Sequence, residues 1–186
     1  MKKASVGDVY AFKTERGYRI IHWAYKIDKQ GSFVRIFREF YHTIPTNIEN
    51  LVEHDCAYIL HFDIAKMYRK GVLEHLGNYP ISAQYPFPTY DIQYFQYSTH
   101  GEFEICEFSC HQHSETFISN HNGDGIPSKY KDVKLVNGIV DPIWFLCLLS
   151  SDFDMNHWNL FYSKDAWNEY ERRYGDVIFG KGKTKT

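Results

Sequence analysis

Residues 6–40 read VGDVYAFKTERGYRIIHWAYKIDKQGSFVRIFREF, and this stretch decides the fold. Val9-Tyr10-Ala11-Phe12 is a short apolar run that stops at the turn Glu15-Arg16-Gly17. Tyr18 to Ile27 then alternates, with Ile21, Trp23, Tyr25 and Ile27 expected on one face. A second turn, Asp28-Lys29-Gln30-Gly31, leads into Ser32–Phe40, where Phe33, Arg35 and Phe37 oppose Val34, Ile36, Arg38 and Phe40. Period-two alternation between Gly-containing turns is the signature of hairpins, so the spacing predicts a three-strand antiparallel meander.

Beyond it, Cys56–Phe62 reads as a further strand. Gly71, Gly77, Pro80, Pro86 and Pro88 break up residues 66–88 into loops and short strands rather than a long helix. Tyr90–Tyr97 and Glu102–Cys110 are predicted as two strands around a His100-Gly101 turn. The polar stretch His111–Tyr130 reads as a long loop, and Asn137-Gly138 within Val133–Val140 as a hairpin turn. Two helices follow. Asp141 caps the first, with Pro142 at its first position and an apolar run to Leu149 that should be buried. The second is predicted over 164–174, with Trp167, Tyr170 and Tyr174 on one face, a Glu169–Arg173 pair, and Gly175 as its stop.

The expected fold class is therefore α+β and mainly β: a strongly bent antiparallel sheet, SH3-like in its first half, with two C-terminal helices. No linker or repeat divides the 186 residues, so residues 1–180 are expected to form one domain, with 181–186 as a frayed Gly/Lys/Thr tail.

Composition narrows the function classes. Hydrophobic residues make up 44% and charged residues 24%, an ordinary globular balance, while the aromatic share of 18% favours strands and contact surfaces. No apolar run approaches the roughly 20 residues needed to span a bilayer. The basic N-terminus lacks an apolar segment behind it, and Cys56, Cys106, Cys110 and Cys147 are too sparse for a disulfide framework. A cytoplasmic protein with reduced thiols and no membrane partner is the expectation. Charge is uneven along the chain: residues 1–40 carry +5, 41–128 carry −8 and 129–186 carry +1. Such asymmetry suggests charged partners.

Fragments that imitate active sites fail on their chemistry. Gly175-x4-Gly180-Lys181 begins like a phosphate loop, but Gly182 stands where the magnesium-binding hydroxyl belongs and no helix can follow within the remaining residues. Cys106, Cys110, His111 and His113 are zinc-type ligands, yet strand alternation sends the cysteines and the histidines to opposite sides. His113-x-Glu115 lacks the Pro-Cys-x-x-Cys of zinc deaminases. No catalytic residue, metal or cofactor is assigned, and the expectation is a protein that is not an enzyme. Lys13, Arg16, Arg19, Lys26, Lys29, Arg35 and Arg38, interleaved with aromatics, offer an alternative role as a small β-barrel nucleic-acid-binding module. The pI near 6.5 and the lack of an RNP-like signature argue against it. An uncharacterised hydrolase ranks third.

Val6-Gly7-Asp8-Val9-Tyr10-Ala11-Phe12, the strand Tyr18–Ile27 and Val34-Arg35-Ile36-Phe37 resemble the start of the Immunity protein 26 family of bacterial polymorphic toxin systems. Gly71–Ile81 followed by Tyr85-Pro86-Phe87-Pro88 is similar to that family's middle pattern, departing from it at Val72, where Trp is expected. The resemblance covers about residues 5–95. It implies an antidote that binds and blocks a cognate toxin, and it carries over no catalytic residue. A basic toxin would be met by an acidic, aromatic surface. The expected contact centre is residues 90–107, with Tyr94 and Tyr97 as aromatic anchors and Glu102, Glu104 and Glu107 as electrostatic guides.

Overall fold

The structure, a computed structural model, describes residues 3–27, 31–85, 90–94, 103–109, 114–121, 136–139, 141–151 and 164–180; over 90–94, 103–109, 114–121 and 136–139 it is described as backbone. The chain is an α+β protein whose first half is mostly strand and whose C-terminal part is helical. Strands β1 (Asp8–Thr14), β2 (Gly17–Ile27) and β3 (Gly31–Tyr41) form the expected meander. Thr14 lies opposite Gly17, so Glu15 and Arg16 alone make the first turn. Thr14 Oγ1 locks it, donating to Gly17 O at 2.8 Å and accepting from Arg16 N at 3.1 Å. Gly17 adopts φ 123°, and a Cβ there would sit 2.4 Å from Tyr41 O, so only glycine fits.

Strand β4 (Tyr58–His61) adds antiparallel to β3, and β5 (Glu74–Asn78) returns to β1. The result is a five-strand antiparallel unit in the order β5-β1-β2-β3-β4, with the fifth strand beside the first as in an SH3-like meander. Register shifts at Val9/Tyr10, Arg19/Ile21 and Trp23/Tyr25 supply bulges, which bend strands and add twist. The last of them changes the expected facing. Trp23 pairs with Val34 but Tyr25 pairs with Phe33, so Ala24 is the extra residue and Tyr25 turns to the face opposite Trp23.

Both faces of this unit are covered. One holds Tyr10, Phe12, Ile21, Trp23, Val34, Ile36 and Leu60, packed under α3 (Pro142–Ser150) and α4 (Lys164–Phe179) and beside α2 (Ile64–Arg69). Phe145 of α3 stacks on Phe62 with centroids 3.7 Å apart. The other face holds Val9, Ala11, Ile20 and Phe37 beneath α1 (Ile48–Val52). Neither short helix was visible in the apolar periodicity. Their caps form them: Asn47 Oδ1 accepts from Asn50 N, and Asp63 Oδ1 from Lys66 N. Helix α3 matches its expected span, with Asp141 Oδ1 accepting from Ile143 N at 2.9 Å.

The remaining strands extend the sheet and revise two expectations. Strands β6 (Tyr90–Tyr94) and β7 (Phe103–Ser109) pair antiparallel, as the predicted hairpin requires, while residues 95–102, with the expected His100-Gly101 turn, lie outside the described residues. The stretch 111–130 is not all loop, because β8 (Ser114–His121) pairs antiparallel with β7. Asn137-Gly138 is not a turn either. It lies inside β9 (Val136–Ile139), which runs parallel to β4 on one side and β6 on the other. The register steps from Leu60↔Asn137 to His61↔Ile139, which leaves Gly138 as a bulge, the other common role of a strand glycine. Among the described residues the sheet has nine strands, in the order β5-β1-β2-β3-β4-β9-β6-β7-β8, and is mixed rather than antiparallel throughout.

Helix α4 runs five residues past its predicted end at Tyr174, to Phe179. Ile178 is buried against the core and draws the last turn on, and Gly180 with φ 91° ends it, its N–H donating to Asp176 O at 3.0 Å. The predicted Glu169–Arg173 pair is not made; the Arg173 guanidinium lies over the Tyr174 ring, 5.4 Å from its centroid. Gly175 is thus a helix-interior glycine, and a Cβ there would meet only Glu171 Cγ, at 3.4 Å. Gly175→Ala is expected to stabilise the fold by about 0.5–1 kcal/mol. Urea denaturation should show a higher midpoint with an unchanged slope; a lower midpoint would mean Glu171 cannot yield.

Candidate functional site

Strands β6 and β7, with β8 beside them, carry three of the five contact residues expected from sequence: Tyr94, Glu104 and Glu107. Together they contain Asp91, Glu104, Glu107 and Glu115 and no Lys or Arg. Residues directly opposite in an antiparallel ladder share a face, and alternate residues along a strand do too. Tyr94 lies opposite Phe103 and Tyr90 opposite Glu107, so positions 94 and 107 share one face. Position 104, opposite Gln93, is on the other. Asp91 opposite Cys106, and Phe108 opposite Glu115, bring positions 91 and 115 to the face of position 104. The expected set Tyr94, Glu104 and Glu107 is therefore split between two faces. Sequence reasoning missed Asp91 and Glu115, which needed the register between three strands. Tyr97 and Glu102 lie outside the described residues, as do Cys110, His111 and His113. Among the described residues, no group of three or more His, Cys, Asp or Glu could hold a metal ion.

The basic strands behave differently from the surface imagined for nucleic acid. Arg19 and Arg35 are only 2% and 1% exposed. Arg19 Nε donates to Leu149 O at 3.0 Å and Nη1 to Phe37 O at 3.1 Å, with further bonds to Arg38 O and Ser151 O. It thereby ties the β2–β3 pair to the end of α3. Two of the seven cations in that set are thus structural and out of reach of a phosphate, whereas Lys13, Arg16, Lys26 and Arg38 are exposed.

Arg35 anchors a second polar cluster on the face under α1. Its Nη1 donates to Val52 O at 2.9 Å and its Nη2 to His54 O at 2.6 Å, so the guanidinium binds the carbonyl-rich end of α1. The Tyr85 ring covers it, 4.3 Å from Cζ to the centroid. His22 is fully buried beside it, with Nε2 at 2.8 Å from Tyr79 O and Nδ1 at 3.5 Å from Arg35 Nη1. A carbonyl can only accept, so Nε2 carries the hydrogen and Nδ1 faces the cation as an acceptor. Burial, and then the Arg35 charge, push the His22 pKa down to about 4.

A third cluster surrounds Asp8 on the β1–β5 edge. Ser5 N donates to Oδ2 at 2.7 Å, Tyr10 Oη to Oδ2 at 3.1 Å and Asn78 Nδ2 to Oδ1 at 2.9 Å. Burial alone would raise this carboxyl's pKa, but the hydrogen bonds from Asn78, Ser5 and Tyr10, with the His75 ring close by, outweigh it and hold the group below the usual range. His75 Nε2 is 3.2 Å from Oδ1, off the hydrogen-bond line and otherwise unpartnered. The cluster pins the entry of the chain onto its first strand.

No family model matches the chain, and comparisons with curated proteins and with solved structures found no match. Among the described residues, no helix is long and apolar enough to cross a membrane.

Proposed function

We propose that this chain is a binding protein that neutralises a cognate bacterial toxin, and that it contacts a basic partner through the face of β6–β7–β8 bearing Asp91, Glu104 and Glu115. One observation carries the reading: the register places three of the four acidic positions of adjoining strands on one face, in strands that contain no Lys or Arg. Clustered like charge raises the association rate with an oppositely charged partner and loses that effect as salt screens it. The resemblance over residues 5–95 supports the same role. Burial of Arg19 and Arg35 removes two cations from the rival nucleic-acid surface.

The test starts from the neighbouring genes: a toxin gene is expected beside this one, isolation from any toxin gene counts against the reading, and the protein is co-expressed with that gene's product. Growth rescue and a stable complex are expected; a cell killed despite abundant folded protein defeats the reading. Within the complex, Asp91→Lys with Glu104→Lys should slow association about tenfold at low salt and much less at high salt. Glu107→Lys, from the other face, should leave the rate near that of the parent. The reverse ranking would move the contact to the face of Tyr94 and Glu107.

A further inference from the structure

The β6–β7–β8 wing joins the five-strand unit by a narrow seam. Among the described residues its only ladder to that unit runs through β9, where β6 pairs at Asp91↔Val136 and Ile92↔Asn137. The second link is the chain itself, which leaves β5, passes Tyr79 to Tyr85, and reaches β6 at Tyr90. That strap is fastened to the five-strand unit at several points. Tyr25 Oη donates to Tyr85 O at 2.7 Å, Gln84 Nε2 to Glu53 Oε2 at 3.0 Å, and Tyr85 Oη to Glu53 O. The Tyr85 ring caps the buried Arg35 guanidinium, which is itself fixed by the carbonyls of Val52 and His54. A cation that is already dehydrated interacts more strongly with a ring face than an exposed one does. The ring contact thus sits where it is strongest, at the point where the chain departs for the wing.

We propose that the Tyr85–Arg35 contact is a latch coupling the wing to the five-strand unit, so that undocking Tyr85 loosens β6, β7 and β8 while β1 to β3 stay folded. The bearing of this latch on toxin binding rests on the reading above, whereas the latch itself is tested on the isolated protein. Backbone hydrogen exchange read by mass spectrometry resolves the two regions. In Tyr85→Ala and Tyr85→Leu, amides of 90–94, 103–109 and 114–121 should exchange about tenfold faster through local opening, with β1–β3 within about twofold of the parent. Tyr85→Phe keeps the ring and loses only the bond to Glu53 O, so the wing amides should stay within about twofold of the parent. Equal acceleration in both regions, acceleration confined to the strap, or no acceleration in the Ala and Leu variants overturns the latch. A Phe variant that behaves like Ala overturns the ring contact as its basis.

Discussion

Between pH 7 and pH 4 the folded protein is expected to lose about 3 kcal/mol of stability through His22 alone. The imidazole is fully buried and held near a pKa of about 4, against an ordinary value of 6.5. In that interval the unfolded chain binds a proton that the folded chain refuses, so unfolding takes up protons and stability falls as pH falls. The contribution is complete above about pH 6.5, falls through this interval and is fully lost only below about pH 4, as the folded state also protonates. Geometry explains the refusal. Nε2–H is committed to Tyr79 O, so the incoming proton must go on Nδ1, which faces the Arg35 cation at 3.5 Å. Asp8 acts in the same direction but at lower pH, since its pKa lies below that of a free carboxyl. Urea unfolding followed from pH 7 to 4.5 should show the loss. His22→Gln should flatten it, because Gln can still donate to Tyr79 O without taking a proton. An acid limb of equal slope in that variant would place the titration on another residue.

The three-strand meander and the strand after it were legible because they obey local rules: period-two alternation in β2 and β3, and a turn at Glu15-Arg16-Gly17. Local rules also produced the errors. Asn137-Gly138 carries the residues of a tight turn, but the chain there is held on both sides by strands distant in sequence, and pairing with β4 and β6 makes the glycine a bulge. Gly175 looked like a helix stop, but burial of Ile178 favours one more turn by more than the roughly 1 kcal/mol that a helical glycine costs. Strand β8 was lost in a polar stretch because its partner, β7, is what defines it.

The candidate surface shows the same division. Its acidic character was plain in the −8 of residues 41–128, but which carboxylates share a face depends on register between β6, β7 and β8, and no single strand encodes that. Arg35 left a clearer trace. It stands between Phe33 and Phe37 on the same strand face, and a lone cation within an apolar stripe of a strand points to a buried, hydrogen-bonded group. Reading it as part of a basic surface took the aromatic residues on either side as stacking partners for bases, where they are the apolar walls that bury the cation.

Replacing Arg35 by Met is expected to cost about 3 kcal/mol in urea unfolding. Two effects compete. Removing a buried cation relieves its desolvation penalty, and in some proteins buried charges exchange for apolar residues without loss. Here the acceptors are what decide the sign. Val52 O and His54 O close α1, a five-residue helix with no other cation in its last turn, and Met supplies them with no donor. Each charge-assisted bond contributes about 1.5–3 kcal/mol, and the ring contact with Tyr85 adds up to about 2 kcal/mol. Arg35→Lys should recover little, since one ammonium cannot reproduce the planar fork that serves both carbonyls and stacks under the ring. The substitution also reaches His22. With the like charge gone, burial alone depresses its pKa, so the acid loss described above should shrink in Arg35→Met. A variant as stable as the parent, with an unchanged pH profile, would show that the carbonyls find water and that Arg35 holds neither α1 nor the charge state of His22.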